Sequence, residues 1–166
     1  MVLLHFLKRE IETLFIHRFS SDTMPWTYIF RNSGHYWALA GAIFGYTVNH
    51  PSNALVVRTP MQTNLLLALY TYAELSNLYT HLTLRSLRPQ GSRVRRVPHG
   101  YGFDWPFGGL SCPHYFFEIA AWMAIGAWTW TWGIIPFLAV AVFIMDRWAQ
   151  QVCSSHPVLI VETSQL

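Results

Sequence analysis

From Tyr115 to Met145 the chain carries one charged side chain, Glu118. That run is too long for a single upright helix across a bilayer core of ~30 Å, and it limits the possible folds more than any other feature. Trp132-Gly133 and Pro136 supply a turn within it, so the pattern predicts two helices, about 115–131 and 135–149. Two apolar segments precede them. Residues 35–49 are short, rich in small residues and closed by His50-Pro51; residues 62–84 are long enough to span. Composition points the same way: 52% of the 166 residues are apolar, 16% aromatic and only 11% charged, against about 25% charged in an ordinary soluble domain. Eight Trp, eight Tyr and eleven Phe suit a membrane interface. The expected fold class is all-α, a polytopic transmembrane helix bundle of about four spans. An N-terminal interfacial amphipathic helix over 3–19 precedes it, with Ile11, Leu14, Phe15 and Phe19 on one face.

The few charges are unevenly placed. With four spans, 1–34, 85–113 and the C-terminal tail share a side, and that side holds ten of the eleven Lys and Arg; Arg58 alone lies opposite. The positive-inside rule makes it cytosolic. Arg85, Arg88, Arg93, Arg95 and Arg96 crowd one loop instead of spreading over a polar face, which argues against nucleic acid as a partner. Cys112 and Cys153 form neither a disulfide framework nor a CxxC site. The eight His include no HxxH, HxxxH or HExxH within a span, so no metal is expected; His17, His35, His50 and His99 read as interface or loop residues. The start is a poor signal peptide, because Lys8 and Arg9 follow the apolar lead.

Three groups of residues carry candidate chemistry. Glu74, Asn77, His81, Arg85 and Arg88 recur at spacings of 3, 4, 4 and 3, which places them on one helical face. Such a polar stripe in an apolar segment is either an interhelical hydrogen-bond network or a ligand site. The arginine loop 85–98 suits phosphate, since guanidinium forks bind it bidentately; it equally suits a topology-setting cluster or a lipid headgroup site. Finally, His114, Tyr115 and Glu118 fall within one turn of a helix that starts at Pro113. A Tyr beside a buried carboxylate serves as a proton donor, or the Tyr is interfacial and Glu118 pairs with an arginine. No GxGxxG or GxxxxGK[ST] motif is present.

At these residues the sequence resembles the trans-2-enoyl-CoA reductases of very-long-chain fatty-acid elongation, within the steroid 5α-reductase family. The motifs that carry the resemblance are KREIETLFIHRFSSDTMPWTYIFRNSGHYW (8–37), LSNLYTHLTLRSLRP (75–89), RRVPHGYGFDW (95–105) and LSCPHYFFEIAAW (110–122), and they run in family order. The resemblance implies a helix bundle in the endoplasmic reticulum membrane, multi-pass with its basic loops cytosolic. It implies NADPH as cofactor, a long-chain enoyl-CoA as substrate, and the lipid bilayer and other fatty-acid elongase subunits as partners. It places Asn77, His81, Arg85, Arg88, Arg95, Arg96 and His114 around the cofactor, Tyr115 and Glu118 at the chemistry, and His17, Arg18 and Glu74 on the substrate side. His114 stands where the family has Asn in a Pro-Asn-Tyr motif, and an imidazole keeps only part of an amide's pairing.

The reaction so implied is NADPH-dependent reduction of the trans-2 double bond of a very-long-chain enoyl-CoA. Its rivals are a steroid reductase of the 3-oxo-5α-steroid 4-dehydrogenase type, an isoprenylcysteine methyltransferase-like enzyme and a non-catalytic assembly partner of the elongase complex. Residues 1–34 read as an interfacial segment, 35–149 as the family's C-terminal membrane domain and 150–166 as a divergent tail. The expectation is a chain truncated at both ends and impaired in activity for that reason.

Overall fold

A computed structural model of the chain describes residues 1–18, 25–51, 53, 56–86 and 112–155, and every element among them is helical. Helix α1 (Val2–Ile11) runs straight into a π-helical turn, Glu12–Ile16. Helix α2 (Thr27–Gly34) continues as a π-helix, His35–Phe44, and then as α3 (Gly45–Asn49). Helices α4 (Pro60–Ser86), α5 (Pro113–Thr129) and α6 (Ile134–Ser155) complete the bundle.

Local chemistry sets the helix ends. Thr59 and Gln62 form a reciprocal capping box at the start of α4: Gln62 N–H donates to Thr59 Oγ1 at 3.2 Å and Thr59 N–H to Gln62 Oε1 at 3.0 Å. Pro113 opens α5, where its missing N–H is no loss. Trp130, at φ 50°, closes α5 in the left-handed conformation, and its N–H donates to Gly126 O at 2.8 Å. The turn expected near Trp132-Gly133 therefore falls between Thr129 and Ile134. Gly133 is required there, because a Cβ at this position would lie 2.0 Å from Thr47 Oγ1 of α3.

The core lies where α5 meets α4, α6 and the second π-helix. Trp122 is its centre, with its ring 4.4 Å from Phe137 and 6.4 Å from Phe44. Ala73, Ala121, Ile125 and Ile134 fill the space around it. Small residues on facing surfaces let α4 and α5 approach closely, and theirs is the most extensive helix pair.

One expectation is corrected. No helix among the described residues is long and apolar enough to cross a membrane, which overturns the polytopic bundle of about four spans. A spanning helix needs about 20 mostly apolar residues. α5 has 17 residues; α4 has 27 but buries Glu74, Ser76, Asn77, Thr80 and His81; and the apolar run of α6 stops at Asp146-Arg147. Scarcity of charge makes these segments read as spans, but length and buried polar groups disqualify the helices they form. The N-terminal helix turns its charges inward. His5 and Glu12 are buried and Lys8 is partly so, while Leu3, Leu7, Leu14 and Phe15 are exposed. The polar face points in and the apolar face points out.

Candidate functional site

Helix α4 places Glu74, Asn77 and His81 on one face, as their spacing predicts, and all three are buried. Facing them, α1 presents His5, Lys8 and Arg9, with Glu12 at the start of the π-turn, at the matching spacing of three to four residues. Helix α5 adds Glu118. The three elements interlock through charge. Lys8 Nζ lies 2.6 Å from Asn77 Oδ1 and 2.8 Å from Glu74 Oε2. The second contact is poorly aligned for a hydrogen bond, yet at that separation it is an ion pair. Arg9 reaches Glu12 at 3.0 Å and Glu118 at 3.8 Å. His5 bridges Glu74 at 2.6 Å and Glu118 at 3.2 Å, and His81 meets Glu12 at 3.1 Å.

Three buried carboxylates in one place are tolerable only if the charge is matched. Burial alone would raise Glu12, but His81, Lys8 and Arg9 overcome it and hold the carboxyl at about 2. Burial likewise opposes ionisation of Glu118, and the hydrogen bond from His5 with the charge of Arg9 brings it to about 2. Glu74 moves down in the same way against its burial, through His5 and Lys8. His5 shows the converse: burial disfavours its charged form, but Glu118 and Glu74 raise it to about 9. The protonated His5, Lys8 and Arg9 thus balance Glu12, Glu74 and Glu118.

At the C-terminal end of α4 the chemistry changes. Arg85 Nη1 donates to Phe15 O at 3.0 Å, and Arg18 Nη1 donates to Arg85 O at 3.3 Å. Both arginines are exposed, and among the described residues no carboxylate pairs with Arg85. His17 sits edge-on to His81, ring centres 4.7 Å apart. Burial, with His81 and Arg9 nearby, pushes its imidazole down to about 4. Exposed guanidinium groups therefore stand at this rim, where their forks suit phosphate, whereas the cations inside the cluster face Glu12, Glu74 and Glu118.

On α5, Asn77 Nδ2 donates to His114 O at 2.8 Å, locking α5 to α4. The ring of Tyr115 lies 4.0 Å from His114 and 6.0 Å from Trp148 of α6. Glu118 turns toward α1 and takes an arginine, Arg9. Of the sequence-predicted site, the structure brings together Glu74, Asn77, His81, His114, Tyr115 and Glu118, with His17, Arg18 and Arg85 at the rim. Arg88, Arg95 and Arg96 lie outside the described residues, as does the tail from 156. His35 is no loop residue: it stacks on Phe137 at 4.8 Å.

Sequence reasoning missed His5, Lys8, Arg9 and Glu12. Their signal was present as polar residues repeating along α1 in step with Glu74, Asn77 and His81. One further grouping emerges. Ligand atoms of Glu12, His17 and His81 lie within 4.8 Å of one another, which is a metal-competent set. Arg9 Nη1, 3.0 Å from Glu12 and 3.5 Å from His81, supplies the cation at that point.

Comparison with known proteins accords with this geometry. Residues 22–156 match the sequence profile described as 3-oxo-5-alpha-steroid 4-dehydrogenase. A Schizosaccharomyces pombe protein named as an enoyl reductase is 41% identical over 151 residues, 91% of this chain and 50% of that protein. The very-long-chain enoyl-CoA reductase of Dictyostelium discoideum is 38% identical over 147 residues, 88% of this chain and 46% of that protein. The human trans-2,3-enoyl-CoA reductase-like protein is 26% identical over 149 residues, 89% of this chain and 41% of its own length. The chain spans about half the length of the curated relatives it matches.

Proposed function

This chain belongs to the 3-oxo-5-alpha-steroid 4-dehydrogenase family, and on that premise we propose that it is the catalytic part of an NADPH-dependent enoyl-CoA reductase acting on very-long-chain substrates. The observation that carries the reading is the seating of Tyr115 against His114 on α5, with Asn77 and His81 of α4 holding and facing His114, and exposed Arg85 and Arg18 at the end of α4. Likeness to proteins named as enoyl reductases in Schizosaccharomyces pombe and Dictyostelium discoideum supports the enoyl thioester over the steroid as the substrate of this chain.

When bound, NADPH supplies a hydride to the β-carbon of the α,β-unsaturated thioester. The protein's own residues do the rest. Arg85 and Arg18, joined by Arg88, Arg95 and Arg96, hold the cofactor phosphates through charge-assisted hydrogen bonds. Asn77 keeps α5 in register with α4 through the backbone carbonyl of His114, the residue before Tyr115. The Tyr115 hydroxyl gives its proton to the α-carbon of the enolate, completing addition of hydride and proton across the double bond. Glu118, three residues further on, anchors the same helix to α1 through His5 and Arg9. His17 lies on the acyl-CoA side of the rim. The exposed apolar side of α1, with Leu3, Leu7 and Leu14, rests against lipid, at the endoplasmic reticulum with the basic loop facing the cytosol. Other fatty-acid elongase subunits are its protein partners.

The test is NADPH oxidation by the full chain, given a long-chain trans-2-enoyl-CoA in one arm and a 4-ene-3-ketosteroid in the other. Reduction of the thioester supports the proposal. Reduction of the steroid alone shifts the assignment to the rival substrate. No turnover in either arm, with elongase subunits still captured, marks a non-catalytic partner.

A further inference from the structure

His5 lies outside the residues to which the reductase reading gives a role, and its surroundings are unusual. The ring is 1% exposed, edge-on to Trp122 at 4.9 Å and to Phe6 at 5.7 Å. Each ring nitrogen meets a carboxylate: Nδ1 is 2.6 Å from Glu74 Oε1, and Nε2 is 3.2 Å from Glu118 Oε1. An ionised carboxylate only accepts hydrogen bonds, and a neutral imidazole has one N–H to give. Both contacts are therefore hydrogen bonds only if the three groups share one extra proton. Lys8 on Glu74 and Arg9 on Glu118 favour the ionised acids, which leaves that proton on the ring. Among the described residues, the other groups near the bridge are Tyr70 of α4, whose hydroxyl donates to Met1 O at 2.8 Å, and Tyr36 of the second π-helix, near Glu118 and Arg9. Neither supplies a competing cation.

We infer that His5 is a positioning residue, an imidazolium strut that ties α1 to α4 and α5 and sets the orientation of the Glu118 carboxylate. With Nε2–H on Oε1 of Glu118, the carboxylate has one preferred rotamer, and α5 is held to α1 one turn after Tyr115. This rests on the reductase reading for its catalytic consequence, but the strut itself does not depend on it. A neutral isostere keeps one hydrogen bond and loses the other, so Glu118 gains rotational freedom without any loss of packing volume.

The experiment uses the full chain with nitrogen-15 in its eight histidines. His5→Asn identifies the His5 signals by their disappearance. The expected result is the signature of an imidazolium protonated on both nitrogens at pH 7.5, with Glu118→Gln converting it to a neutral tautomer. A neutral His5 in the wild-type chain overturns the strut, and this holds whether or not the chain turns over substrate. In the reductase assay, His5→Asn is expected to lower kcat at least tenfold and leave the KM for enoyl-CoA within twofold. It is also expected to abolish the alkaline fall in the wild-type pH profile. A variant profile that superimposes on the wild type overturns the positioning role. A wild-type chain with the imidazolium signature and no reductase activity instead removes the reductase reading and supports the strut.

Discussion

Replacing Glu12 by Gln removes one negative charge from a fully buried position while preserving volume, and its effect depends on pH in a way that the structure fixes. The carboxylate of Glu12 faces Arg9 at 3.0 Å, His81 at 3.1 Å and Lys8 at 3.4 Å. These partners lower it from 4.5 to about 2 in the folded chain. A group whose folded value is depressed contributes stability above its unfolded value, and loses it as the pH falls through the folded one. The difference of two to three units corresponds to about 3 kcal/mol at about 1.4 kcal/mol per unit. Breaking a buried pair from one side costs on the order of 3–5 kcal/mol, in agreement with that figure. Urea denaturation of both proteins from pH 6.5 down to pH 2.5 measures the effect. The gap in unfolding free energy is expected to be about 3 kcal/mol at pH 6.5, to shrink below about pH 4.5 and to fall to about 1 kcal/mol near pH 2.5. Glu74 and Glu118 are common to both proteins, so their own contributions cancel in the difference. A gap that stays constant with pH refutes the assignment of an ionised, paired Glu12.

Other outcomes follow from single positions. Gly133→Ala drives a Cβ into Thr47, whose Oγ1 would lie 2.0 Å away, and is expected to destabilise by about 1–3 kcal/mol; adding Thr47→Ala should restore part of the loss in thermal melts. Trp122→Ala empties the centre of the core and should cost about 3–5 kcal/mol by urea denaturation. On the alkaline side, His5 is raised to about 9, so its contribution is complete below pH 6.5 and lost as the pH rises through about 9; His5→Asn should flatten that limb of the denaturation profile. Tyr115→Phe should reduce kcat for the enoyl-CoA by about 100-fold or more while NADPH binding, measured by fluorescence, stays within twofold.

Much of the helical layout was legible because it rests on local chemistry. Pro113 and the turn near Gly133 mark helix ends that the structure keeps. The Glu74, Asn77 and His81 stripe was legible too, since three- and four-residue spacing is a property of the helix itself. Whether the stripe was a network or a ligand site depended on what faced it, and that is tertiary. The partners on α1 were hidden by the habit of assigning the apolar face of an amphipathic helix inward or into lipid, and its charges outward. Here the carboxylates of α4 and α5 outcompete water for Lys8 and Arg9, so the helix turns its leucines out. The spans failed for a related reason: apolar composition measures how few charges a segment holds, but not whether its helix is long enough to cross or buries a polar face, as α4 does.

The π-turn at Glu12–Ile16 has a consequence for helix phase. In a continuous α-helix His17 would sit about 140° around the axis from Glu12. The five-residue ring closed by His17 N–H on Glu12 O at 2.8 Å brings the two nearly into line. The turn acts as a one-residue phase correction that lets a single stretch of chain address the buried carboxylates and the cationic rim from the same side. Deleting Thr13 would restore regular pitch and leave α1 helical, yet it would swing His17 and Arg18 away from His81 and Arg85. Interior and rim would then fall out of phase with each other, although every residue that carries charge was still present.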